Sequence, residues 1–183
     1  MASAARASDV SEDPAALPGA RVLGRLTLPG RPEQVREARL FVSATLLGTT
    51  AAGLPAPPQP APGQPEPLRL TPGQPAADLQ WRREHCDVAV LLTSELVTNA
   101  VMHSNSRGAG GTVTVVIAEI SVRRLRIEVT DCGTNRSAPV VKGKVLSDDG
   151  HGLLLVQNLA DNWGYLRHAL GTTVWFTLGT QPV

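Results

Sequence analysis

Residues 87–103 read DVAVLLTSELVTNAVMH. Val88, Ala89, Val90, Leu91, Leu92, Leu96, Val97, Ala100 and Val101 leave little of a helical circumference polar. The stretch is therefore expected to be a largely buried helix. Two residues break its pattern. The row Val88, Leu92, Glu95, Asn99, Met102 carries a carboxylate and a carboxamide in line with apolar positions. Glu95 and Asn99 are four apart, so they leave the same face one turn from each other. A carboxylate in such a row is costly unless something compensates it. A hydrogen-bonded core pair or an exposed flank would account for it. So would a site in which the Asn99 amide oxygen meets a cation and Glu95 acts as a base.

Three further breaks lie downstream. Leu125, Ile127 and Val129 alternate with Arg124, Arg126, Glu128 and Thr130, which predicts a strand over 124–131 with the charged set on its wet face. Asp131 continues the inward row, where a fixed carboxylate can accept a hydrogen bond from an amino group such as that of a base. Taken alone, an aspartate there is more often a turn residue. Gly150-His151-Gly152 precedes an apolar helix beginning Leu153, Leu154, Leu155, Val156. Glycines that free backbone N–H groups at a helix start suit phosphate, although they also serve as plain punctuation. In the last predicted strand, Thr172 is the polar first member of the inward row Thr172, Val174, Phe176, Leu178. A satisfied core hydroxyl would be the usual explanation.

Around these segments the chain reads as follows. A strand is expected over 21–28, then a helix with a stripe of Val35, Ala38, Leu40, Phe41 and Leu46 that ends near Gly48. Nine of the 15 prolines fall between Pro55 and Pro75. Each removes a donor and fixes φ, so the segment can supply neither a helix interior nor a central strand. Ordered chain is expected to resume at Trp81. Strands over 112–120 and 124–131 follow, then a long connection over 132–149, a helix over 152–160 and a hairpin of 163–167 with 172–178. The order implies an α+β fold, with helices covering one face of a mixed, mostly antiparallel sheet.

The 183 residues carry 17 basic and 16 acidic side chains, a net charge of +1 that gives no general pull toward nucleic acid or an acidic membrane. Residues 1–19 contain acidic positions where a secretion signal needs an apolar run, and read as a disordered tail. No stretch approaches the roughly 18 unbroken apolar residues of a membrane span. Cys86 and Cys132 make no disulfide framework, and His85-Cys86 has no second ligand pair for a metal. Only Lys142 and Lys144 are lysines among the 17 basic residues, an arginine bias that fits a GC-rich bacterial genome. The expected location is cytoplasmic.

Four segments in this order, SELVTNAVMH (Ser94–His103), IEVTDCG (Ile127–Gly133), GHGLLLV (Gly150–Val156) and GTTVWF (Gly171–Phe176), resemble the N, G1, G2 and G3 boxes of the GHKL ATPase superfamily. Within it the chain is most similar to the small stand-alone anti-sigma factor serine kinases and their actinomycete relatives. The resemblance implies a Bergerat fold, a two-layer α/β sandwich, spanning residues 20–179 as one domain with a proline-rich insertion at about 50–77. It implies ATP and Mg²⁺ as ligands. Asn99 would coordinate the metal, Glu95 would be the general base, and His103 would lie near the phosphates. Asp131 would accept from the adenine amino group, with Gly133 allowing close approach and Thr172 supporting the adenine side. Gly150, His151, Gly152 and Leu153 would form the phosphate stretch, and residues 132–149 the lid. Two positions depart from the family: Asn135 stands where many members carry a second glycine, and His151 where these relatives often have arginine.

The activity so implied is transfer of the γ-phosphate to a serine or threonine of a protein antagonist, with a sigma factor as a further partner and a homodimer as the assembly of related kinases. The competing reading is a nucleotide-sensing module that sequesters a regulator without turnover. Other classes fit less well. Gly143-Lys144-Val145 lacks the hydroxyl residue and upstream glycine of a phosphate-binding P-loop. Asp131-Cys132-Gly133 has no accompanying catalytic-loop motif of a eukaryotic-type kinase. Residues 1–80 hold no histidine that could serve as a phospho-acceptor in a dimerisation segment.

Overall fold

The computed structural model describes residues 20–48, 76–133, 151–168 and 171–179. The expected tail, the proline-rich insertion up to residue 75, the connection beyond Gly133, and Gly150 lie outside the described residues. Strand β1 (Arg21–Pro29) leads to helix α1 (Gln34–Leu47). Pro29, Gly30 and Pro32 separate the two. Gly48 ends α1 in the left-handed region at φ 68°, its N–H donating to the Ala44 carbonyl, the usual glycine stop. The buried stripe of α1 is Ala38, Val42 and Leu46. Leu40, expected in that stripe, is exposed instead. Two residues on from Ala38 is about 200° around the helix, which puts Leu40 on the far side.

Helix α2 (Ala76–His103) begins eleven residues ahead of the expected Asp87. Its first two residues fall within the stretch assigned to the insertion. The reason is a core stripe hidden among charges. Trp81, Cys86, Ala89, Leu92, Leu96, Val97, Ala100 and Val101 are buried at helical spacing, while Gln80, Arg83 and Glu84 face solvent. Arg82 is also buried, and its guanidinium meets the Glu119 carboxylate at 3.3 Å, with Arg21 on the same oxygen. A short 3₁₀ turn (Asn105–Arg107) closes the helix.

Strands β2 (Thr112–Ser121) and β3 (Arg124–Asp131) form a hairpin. Helix α3 (His151–Leu159) and the hairpin β4 (Asn162–His168) with β5 (Gly171–Gly179) complete the chain. The sheet order is β1-β2-β3-β5-β4, and all four described pairings are antiparallel. Val113, Val115 and Ile117 of β2, Leu125, Ile127 and Val129 of β3, and Val174, Phe176 and Leu178 of β5 join the helices' buried residues in one core. The result is an α+β fold of two layers, one of helices and one of sheet.

The face of β3 expected to be wet is drier than its charges imply. Glu128 is only 7% exposed. It lies opposite Trp175 and Val116 in register and pairs with Arg126 at 2.7 Å. The Arg126 guanidinium in turn sits 4.1 Å from the centre of the Trp175 ring. The indole can lie flat there because its β4 neighbour is Gly164, where a Cβ would come within 2.7 Å of the ring. Ion pairing and the aromatic cover together let the charges leave water.

Candidate functional site

The polar pair of α2 and the glycine of α3 come together. Glu95 and Asn99 are both half-buried. Gly152, in the first turn of α3, is buried against them. A Cβ there would lie 2.9 Å from Glu95 Oε2 and 3.0 Å from Asn99 Nδ2. The missing methyl group is what lets α3 begin on this pair without covering it. His151 is the first residue of α3, and Leu153 is packed against the core. The Leu153 side chain thus anchors the first turn of the helix. His103, one turn beyond Asn99, is exposed at the last position of α2.

The second cluster lies at the end of β3. Asp131 Oδ1 accepts from the backbone N–H of Gly133 at 2.6 Å and of Thr172 at 3.2 Å. Burial pushes the Asp131 carboxyl above its ordinary value, and these two bonds pull it part of the way back. With Oδ1 committed to the backbone, Oδ2 is the oxygen left for a ligand. Thr172 lies directly opposite Asp131 in register and is buried. It braces the carboxylate through its main-chain N–H, whereas the sequence pattern pointed to its hydroxyl.

The close approach that makes this brace possible rests on two glycines. Gly133 turns at φ 72°, in the region that favours glycine. A Cβ on Gly171 would fall 1.8 Å from the Asp131 carbonyl oxygen. Gly171 opens the GTTVWF segment, but nothing in the sequence showed the contact it makes, because that contact is between two distant backbones.

The turn after α2 ties the end of that helix to the turn that follows β3. Asn105 N–H donates to the Gly133 carbonyl at 2.8 Å, and Cys132 N–H donates to Ser106 Oγ at 3.0 Å. The site therefore has an aspartate with one oxygen fixed and one available, and a carboxylate–carboxamide pair beside a helix start. The first suits recognition of an amino group. The second supplies a base and an amide next to backbone N–H groups that favour phosphate.

Among the described residues no three His, Cys, Asp or Glu side chains group to hold a metal. Asn99 and Glu95 nevertheless fit a divalent cation of the magnesium kind, which takes most of its ligands from phosphate and water. Both side chains are only half-buried, so each keeps part of its surface within reach of a ligand. No helix among the described residues is long and apolar enough to cross a membrane.

Comparison with known proteins agrees with this geometry. No curated protein matches the chain. The family model of the histidine kinase-like ATPase domain matches residues 60–178, more than half of the chain and all of α2 through Leu178. That span contains both clusters, Glu95 and Asn99 with Gly152, and Asp131 with Thr172. The chain belongs to the histidine kinase-like ATPase domain family.

Proposed function

We propose that this ATP-binding domain is a protein serine/threonine kinase of the anti-sigma factor type, acting on a protein antagonist. The observation that carries the reading is the seat of Gly152 on Glu95 and Asn99, on the helix whose end is tied through Asn105 to the turn that follows the braced Asp131. In this reading Asp131 Oδ2 accepts from the adenine amino group. Gly133 and Gly171 keep side chains out of the base's way. Asn99 holds Mg²⁺, which neutralises phosphate charge when bound. The first backbone N–H groups of α3 face the phosphates, with His151 and Gly150 on the same stretch and His103 at the rim. Glu95 takes the proton of the attacking hydroxyl as its oxygen bonds to the γ-phosphorus, while the bond to the β–γ bridging oxygen breaks and ADP leaves. Phosphoryl transfer asks for little more than such positioning and charge neutralisation.

Two measurements test the reading. Mg-ATP at about 100 times its Kd should raise the melting temperature by roughly 5–10 °C, the equivalent of about 2.7 kcal/mol. Label from γ-phosphate should then appear on a cognate antagonist protein and vanish with Glu95→Ala. ATP binding without transfer to any cognate partner would instead make the chain a sensor that sequesters its sigma factor or another regulator.

A further inference from the structure

We infer that Ser106 is a positioning residue for the nucleotide site, setting the place of the Asp131 carboxylate relative to the Asn99 helix; the inference rests on the ATP-binding reading above. Ser106 is 1% exposed and belongs to the short turn after α2. Its hydroxyl proton goes to the Thr112 carbonyl at 2.8 Å. Its oxygen accepts from Cys132 N–H at 3.0 Å and lies 2.8 Å from Ser104 Oγ. Ser104 Oγ in turn accepts from the Ser106 N–H at 3.0 Å and donates to the Ala100 carbonyl, in the last turn of α2, at 2.6 Å. The Ser106 hydroxyl thus joins the start of β2 to the residue that follows Asp131, while the Ser106 main-chain N–H reaches α2 through Ser104.

The surroundings hold that hydroxyl still. A Cβ on Gly30 or Gly111 would fall 1.9 or 2.2 Å from the Ser106 carbonyl oxygen, so both glycines close over the turn. The neighbouring Asn105 N–H bonds to the Gly133 carbonyl. Gly133 N–H is one of the two donors that fix Asp131 Oδ1. The path from Ser106 to the carboxylate is therefore two residues of backbone with hydrogen bonds at both ends. Removing the hydroxyl leaves the Cys132 N–H without its acceptor, and the segment 132–133 loses one of the two ties that hold it to α2. A nucleotide that reaches both Asn99 and Asp131 needs that spacing to be fixed beforehand.

The test compares ATP with ITP, which lacks the 6-amino group, by calorimetry on the full chain. Wild type should prefer ATP about tenfold, a preference that Asp131→Ala abolishes. Ser106→Ala should cut the preference at least threefold while binding of both triphosphates stays Mg²⁺-dependent. Val42→Ala, a distant core truncation, supplies a variant destabilised through packing alone, and its ATP:ITP ratio should stay at the wild-type value. If Ser106→Ala does not fold, Ser104→Ala is read on the same ratio, since it keeps the Ser106 hydroxyl and removes one of its partners. A lowered melting temperature with an unchanged ratio in the serine variant overturns the inference. Wild type that binds neither triphosphate, or both equally, overturns the ATP-binding or adenine reading itself.

Discussion

Asp131→Asn separates the brace from the charge. Asparagine keeps an oxygen where Oδ1 now accepts from Gly133 at 2.6 Å and Thr172 at 3.2 Å, so the turn that follows β3 retains both bonds. The other atom changes from an acceptor to a donating NH₂ group. Facing an adenine amino group it sets donor against donor, and the lost hydrogen bond with its desolvation costs about 1.5–3 kcal/mol. ATP affinity should fall roughly 10- to 150-fold. Stability should move the other way. Burial raises the Asp131 carboxyl above its ordinary 3.8, so the folded chain holds that proton more tightly than the unfolded chain does. Stability from this group is present below the ordinary value and is lost as pH rises through the folded value. At neutral pH the ionised carboxylate is a net cost in the empty site, and asparagine removes it. The ligand-free variant should therefore melt at or above the wild-type temperature at pH 7, with the gap closing on acidification. Calorimetric titration with Mg-ATP and thermal denaturation at two pH values read both effects. Unchanged ATP affinity would refute the adenine contact, and a marked loss of ligand-free stability would show that the brace needs the charge.

Gly152→Ala should keep α3 helical, because alanine favours a helix by about 1 kcal/mol over glycine, but its Cβ would press on Glu95 Oε2, Asn99 Nδ2 and Glu95 Cβ at 2.9, 3.0 and 3.1 Å and displace the pair. Phosphotransfer should therefore drop at least tenfold, with adenosine binding within about twofold of wild type; equal transfer rates would remove Glu95 from the chemistry. In the β2–β3 turn, Arg123 sits at φ 54° without being glycine, and Arg123→Gly should relieve about 0.5–1 kcal/mol of backbone cost. The exposed Arg123–Asp78 pair lost with it is worth no more than a few tenths, so a fall in melting temperature would contradict the account.

What could be read beforehand was what a local period encodes. The β3 boundaries came directly from alternation, since inward and outward rows follow from the pleat alone. Glu95, Asn99 and Asp131 stood out because each is polar within an apolar row. The first half of α2 did not, because Gln80, Arg83 and Glu84 mask the row Trp81, Cys86, Ala89 that packs beneath them. Glu128 looked solvated because the neighbours that dry it, Trp175 and Arg126, depend on strand pairing and on a bare Gly164 across the sheet. Ser106, the close approach at Gly171 and the main-chain role of Thr172 left no trace either. Each acts through backbone atoms of a segment distant in sequence, and residue type alone carries no record of such contacts.

The two halves of the site are fixed by different means, and this bears on how binding and transfer are coupled. At Asp131 the geometry is set by hydrogen bonds from Gly133 and Thr172 and by the ties that Asn105 and Ser106 make to the same turn. These donors and acceptors lie in β3 and the residues just after it, in β5 and in the turn after α2, and none belongs to α3. At Glu95 the geometry is set by packing, because Gly152 rests on that side chain and on Asn99 with no Cβ between them. A shift of α3 by one ångström would leave the base-recognising aspartate where it is and would move the helix start away from the carboxylate and the carboxamide. On the proposed function, in-line transfer tolerates misplacement far less than binding does, so the seat of α3 would govern transfer and the sheet end the choice of nucleotide.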